Sequence, residues 1–451
     1  MPSPSNHPVR FSRRAALRSL VGGSSLLLPG LLQGLLAAPG PLSARTAHLP
    51  ARAKRVIFLY MTGGVSHIDT FDPKPALAGD DHFMGCIAPI QQDPATGIAI
   101  SDLFPHVRSR AQDLCLIRSM QSAHFDHSEA TLGLHTGSAT FARPSFGSWI
   151  SYGLGSENEN LPSFVVIAPD LPYGGTQVYA NDFLPAFHQG TRIVPGDTPV
   201  ANLTPDPDTA SSQRRELDFL ARLNARHLQG REDDSALRAR IKSFETAFQM
   251  QTSGPEAFDV SGEADHALDL YGLERGQNTG FGWQCLVARR LAERGVRVIE
   301  LIHGGSGNRK ASNWDSHGDM NEHKTLAQQV DRPIAGLLQD LRLRGMLDDT
   351  IVVFATEFGR TPAKEGKFGR GHHGKAFSMW LAGGGFKAGH VHGGTDERGA
   401  AITSGKVDVF DFHATLLHQL GIDHERLTYP HAGRDFRLTD VHGTVRHELL
   451  A

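Results

Sequence analysis

The chain has 451 residues, 39% hydrophobic and 21% charged, with a formal net charge of −3. That balance belongs to a soluble globular protein with room for one large domain or two ordinary ones, and it excludes the strongly basic field of a nucleic-acid binder. Twenty-four histidines stand against three scattered cysteines, which excludes a thiolate-built zinc site or a disulfide framework and leaves His, Asp and Glu as the residues that could hold a metal or move protons.

At the N-terminus, Ser12-Arg13-Arg14 precedes an apolar stretch running to about Ala38, followed by Leu42-Ser43-Ala44. A basic pair, an apolar segment and a small-residue cleavage site resemble a twin-arginine export signal over residues 1–44. Gly22, Gly23, Pro29, Gly30 and Gly34 break the apolar run, so no stable membrane span is expected in the mature chain. The expected partner during export is the twin-arginine translocase, and the expected location is periplasmic or extracellular.

Six continuous apolar runs follow: 55–61, 113–120, 163–168, 297–303, 350–358 and 377–384. Continuous rather than alternating hydrophobicity marks strands buried on both faces of a parallel sheet. Leu326, Val330, Ile334, Leu337, Leu338 and Leu341 recur at helical spacing just before the fifth run, an α-to-β step. The pattern predicts an α/β sandwich with helices on both faces of a mostly parallel sheet over residues 45–451. Residues 205–275 are charge-dense. Leu217, Leu220 and Leu223, then Leu237, Ile241, Phe244 and Phe248, predict a helical insertion there.

The strand ends collect polar chemistry, where ligands bind in such sheets. "SHIDTFD" offers His67 and Asp69, two apart. "HFDHSEATLGLHTG" offers His127 as a general acid or base and Ser128 as a nucleophile. "WDSHGD" pairs Asp315 with His317, a mixed set suited to a divalent cation. "TEFGRTP" ends a buried strand on Glu357, with Arg360 either pairing it or holding an anionic substrate. "GRGHHGK" fences His372 and His373 with glycines and adds Lys375. Each stretch also has a plainer reading as a turn, cap or surface loop.

These stretches, with "GRGHHGKAFSMWLAGGGFKAGHVHGGTDERG" and "DFHATLLHQLGIDHERLTY", resemble the domain of unknown function 1501 family from about residue 55 to the C-terminus. That family is related to the alkaline phosphatase and sulfatase superfamily. The resemblance implies an alkaline-phosphatase-like sandwich that hydrolyses sulfate or phosphate esters of small molecules or glycans with a divalent metal ion (zinc, or calcium, magnesium or manganese). By the same resemblance, Asp69, Asp315, His317 and Glu357, with His372 or His373 as the final histidine, would hold the metal. The chemistry of the residues themselves adds His67 beside Asp69 and takes His373 as the ligand, leaving His127, Ser128, His372, Arg360 and Lys375 to act on the ester. Glu357 is followed by Phe358 where the superfamily has an Asp-His pair, and no Cys/Ser-x-Pro-x-Arg motif occurs. An exported protein that keeps the fold and binds a metal or glycan without catalysis is the alternative.

Overall fold

The structure is a computed structural model. It describes residues 43–451 except 76–80, 159, 201–202, 204–209, 232–233 and 307–311. All but the last two residues of the expected export signal lie outside the described residues.

Each of the six apolar runs carries a strand. In chain order the elements that position the site are β1 (Arg55–Met61), β2 (Leu114–Gln121), α1 (His127–Thr136), α2 (Phe146–Leu154), β3 (Phe164–Ile167) and β4 (Thr191–Ile193). Then come α3 (Ala210–Leu228), α4 (Ser235–Phe258), α5 (Gly280–Glu293), β5 (Val298–His303), α6 (Glu322–Leu343) and β6 (Thr350–Ala355). Last are β7 (Gly359–Glu365), β8 (Gly369–His373), β9 (Phe377–Ala382), β10 (His390–His392), β11 (Val407–Asp408) and α7 (Val409–Gln419).

The main sheet runs β10-β2-β9-β6-β1-β5-β3-β4, with β11 beside β2. Every neighbouring pair is parallel except the two made by β9. The β1 run is continuously apolar because both its faces are buried. Ile57, Leu59 and Met61 join one core with Leu286 and Val287 of α5 and Val330 and Ile334 of α6. Val56, Phe58 and Tyr60 join the other with Trp149 of α2 and Phe412 and Leu416 of α7. Burying each such side chain contributes about 1.5–3 kcal/mol, so the alternation of faces fixes the strand's register.

α3 and α4 lie within residues 205–275. Met250, Ala257 and Phe258 of α4 enter the first core, while Phe219 and Phe244 remain exposed. Among the described residues, no helix is long and apolar enough to cross a membrane.

Candidate metal centre

β1, β2, β3, β5 and β6 all point the same way, so the segments after them gather at one edge of the sheet. There, one ligand atom each from His127, Asp315, His317 and His372 lies within 4.8 Å of the others. His127 opens α1. The Asp126 side chain caps that helix by accepting from Ser128 N and Glu129 N, which fixes where the first turn, and His127 with it, begins. Asp315 and His317 follow β5, and His372 sits on β8.

The protons of the three rings can be placed from their partners. Nδ1 of His127 lies 2.7 Å from Glu357 Oε1, Nδ1 of His317 2.8 Å from Glu365 Oε2, and Nδ1 of His372 2.7 Å from the Phe125 carbonyl. A carboxylate or carbonyl can only accept, so each Nδ1 is the donor. In the neutral ring, Nε2 then carries the lone pair. The three Nε2 atoms converge on Asp315 Oδ1, at 3.1 Å from His127, 3.0 Å from His317 and 3.3 Å from His372. His317 Nε2 and His372 Nε2 are 2.8 Å apart. His127 Nε2 is buried and makes no hydrogen bond of acceptable geometry. Lone pairs facing one another repel unless a proton or a cation lies between them, and a second acceptor fixing the far nitrogen is the usual support of a histidine metal ligand.

Charge points the same way. Three carboxylates (Asp315, Glu357 and Glu365) face one guanidinium, Arg360, whose Nη2 donates to Asp315 Oδ1 at 2.6 Å. With neutral imidazoles the group keeps two negative charges, which a divalent cation would balance. Burial opposes the imidazolium of His127, but its carboxylate neighbours Asp315 and Glu357 outweigh it and raise it to about 9. Burial also pushes the Asp315 carboxyl up, yet His127, His372 and Arg360 hold it well below the usual carboxylate range. Without a metal, protons and Arg360 therefore supply the positive charge. Three imidazole nitrogens and one carboxylate oxygen form a donor set that fits zinc or a similar divalent ion.

Glu357 lies outside the converging set and supports it. Its carboxylate accepts from Gly63 N at 2.8 Å, the Tyr60 hydroxyl at 3.0 Å and His127. Phe358 fills the space beside it, against the rings of His127 and His372 at 4.8 and 4.7 Å. Arg360 is fully buried, and besides Asp315 it donates to the carbonyls of Gly63, Gly64 and Arg370.

The other expected residues lie apart. Residues 66–72 form turns rather than a strand, so His67 and Asp69 do not share a face. Asp69 pairs with the buried Arg370, Nε to Oδ2 at 2.9 Å. His67 Nε2 meets the Gly399 carbonyl at 2.8 Å, and His373 Nε2 meets the Ala400 carbonyl at 2.9 Å. Ser128 is exposed in the first turn of α1, and Lys375 is exposed; among the described residues no ion pair joins Lys375 to the cluster.

"GRGHHGK" is a strand, not a bending loop. β8 pairs antiparallel with β7, and the register slips between Arg370 and His372. Neighbours on a strand face opposite ways, which puts His372 in the cluster and His373 against Ala400. The flanking glycines permit close approach and need no left-handed backbone. A Cβ on Gly369 would lie 1.6 Å from the His317 carbonyl oxygen, and one on Gly374 would lie 2.7 Å from that of His124.

Sequence reasoning passed over Glu365, Asn313 and Tyr173. Tyr173 follows the β3 run in "DLPYGG" and carries the same strand-end signal as the other stretches, without a histidine to mark it.

A family model described as "Protein of unknown function (DUF1501)" matches residues 53–450. No curated protein matches the chain in sequence. Among solved structures the chain is similar to the PsFucS1 sulfatase from Pseudoalteromonas sp., with 14% identity, TM-score 0.42 and coverage of 88% of this chain and 72% of that one. It is similar to the phosphonate monoester hydrolase SpPMH from Silicibacter pomeroyi, with 11% identity, TM-score 0.35 and coverage of 82% and 73%. It is also similar to the alkaline phosphatase from the Antarctic bacterium TAB5, with 11% identity, TM-score 0.32 and coverage of 75% and 92%.

Proposed function

The chain belongs to the DUF1501 family, proteins of unknown function, and from that premise we propose that it is an exported, metal-dependent hydrolase of sulfate or phosphate esters. The observation that carries the reading is the convergence of three imidazole lone pairs on Asp315, with every Nδ1 already committed to an acceptor. His127, His317 and His372 would hold the ion, with Asp315 as fourth ligand or as the carboxylate between ion and Arg360. When bound, a divalent cation would supply Lewis acidity toward an ester oxygen.

The chain's own residues do the rest. Glu357, held by Gly63 N and Tyr60, keeps the His127 ring oriented. Glu365 and the Phe125 carbonyl do the same for His317 and His372. Arg360 offsets the Asp315 charge from a fixed position, because backbone carbonyls hold its remaining nitrogens. Phe358 and Tyr173 pack on the His127 ring, which is buried. His317 is 39% exposed in its side chain, so a substrate can reach the cluster from solvent. The export signal at residues 1–44 belongs to the same proposal and places the ester substrate, small or glycan-borne, outside the cytoplasm.

One feature of the site favours the second reading, a protein that binds metal without catalysis. Four protein ligands would close a tetrahedral site, whereas a catalytic zinc keeps a position open. The test is to load the purified protein with zinc, then assay aryl sulfates and aryl phosphates with and without chelator. Chelator-sensitive turnover lost in His372→Ala supports the hydrolase. Stoichiometric zinc with no turnover on either ester class supports the binding protein.

A further inference from the structure

Tyr173 stands beyond the carboxyl end of β3, and its ring lies flat on that of His127, with centroids 4.2 Å apart and planes 11° apart. Its hydroxyl accepts the Nδ2–H of Asn313 at 3.1 Å. A phenol also has one proton to donate, and a half-buried hydroxyl normally finds an acceptor for it. Among the described residues none takes it. Asn313 occupies one lone pair of that hydroxyl, which leaves the proton to point elsewhere. Its Nδ2 also donates to the Gly305 carbonyl at 2.9 Å, and its Oδ1 accepts from Asp315 N at 3.1 Å. One amide therefore ties the free O–H to the backbone of the cluster's carboxylate.

We infer that the Tyr173 hydroxyl donates a hydrogen bond to a tetrahedral oxyanion seated at the cluster, the phosphate or sulfate group of an ester or of the free anion. The inference rests on the cluster holding a divalent cation. Phosphate and sulfate esters offer an array of accepting oxygens, which a free O–H beside a cation complements. The aromatic faces of Tyr173 and Phe358 thin the water around that bond and strengthen it. Tyr173 acts here as a binding residue, and the Phe variant keeps its ring on His127 while removing only the hydroxyl.

The experiment uses the full protein, wild type and Tyr173→Phe. Zinc affinity is measured first by competition with a chromophoric chelator. Inorganic phosphate, inorganic sulfate and acetate are then titrated into each zinc-loaded protein by calorimetry. The expected result is equal zinc affinity within about twofold and an affinity for phosphate or sulfate at least about tenfold weaker in Tyr173→Phe, with acetate bound more weakly than either by the wild type. The phosphate and sulfate arms show which anion the site prefers. Zinc-loaded wild type that binds neither anion, or a Tyr173→Phe protein that binds both equally well, overturns the inference while leaving the metal site standing. Failure of the wild type to bind zinc removes the metal reading itself, and the inference with it.

Discussion

His317 Nε2 lies 2.8 Å from His372 Nε2, and the opposite nitrogen of each ring is held by an acceptor, Glu365 for one and the Phe125 carbonyl for the other. Two lone pairs at that separation need a proton or a cation between them. His317→Ala and His372→Ala are each expected to weaken zinc binding at least about a hundredfold, since each removes one of at most four ligands. His373→Ala should leave zinc affinity within about twofold, because its Nε2 is occupied by Ala400. Competition against a chromophoric chelator measures all three, and a larger loss in His373→Ala than in His372→Ala would reverse the assignment.

Glu357 orients His127 from behind. Glu357→Gln keeps the shape but lowers the charge on the acceptor, so zinc affinity is expected to fall about 10- to 100-fold. Glu357→Ala also strands the buried donors of Gly63 and Tyr60. That variant should lose about 3 kcal/mol or more of stability. Urea denaturation of the zinc-free proteins separates the two effects, and a Gln variant with unchanged zinc affinity would show that Glu357 serves folding alone.

Asp69 is expected to matter for stability and not for metal. It and Arg370 are both fully buried and pair with each other. Asp69→Ala leaves a guanidinium unpaired in the interior, at a cost of about 3–5 kcal/mol. Zinc stoichiometry, measured well below the variant's melting temperature, should stay that of the wild type. Loss of zinc from a folded Asp69→Ala protein would make Asp69 a ligand after all.

Acid should destabilise the fold through its buried histidines. Burial lowers His67, His303 and His413 to about 4. Between about 4 and the usual 6.5, the unfolded chain binds protons that these folded side chains refuse, so stability falls as pH drops through that window. Each such histidine contributes about 1.4 kcal/mol per pH unit there. His127, raised to about 9, runs the other way: its contribution is complete below 6.5 and fades as pH climbs through 9, so it does not offset the acid loss. Melting temperatures of the zinc-free protein at pH 7 and pH 5 check this, and equal values would contradict it.

Much of the fold is legible in the sequence because burial on both faces of a parallel strand leaves an unbroken apolar run, as in "RVIFLYM" and "TIVVFA". Short flanking strands such as β4, β10 and β11 have too few residues to carry that signal. Within the site, Asp315 and His317 were readable as a mixed Asp/His pair, residue types that suit a divalent ion. His67 and Asp69 carry the same types, but turns at 66–72 send them to other partners. The adjacent histidines 372 and 373 could not be ranked without knowing the strand register that points one inward. Glu365 acts through His317, 48 residues away, and the Asn313–Tyr173 contact spans 140 residues; no local pattern reports either pairing.

The proposed activity depends on one cation site. Crystals grown with zinc and recorded on both sides of the zinc absorption edge would locate it by anomalous scattering. A single strong peak within bonding distance of Nε2 of His127, His317 and His372 is the predicted result. A peak beside His67, Asp69 or His373, or no peak at any of these residues, would contradict it.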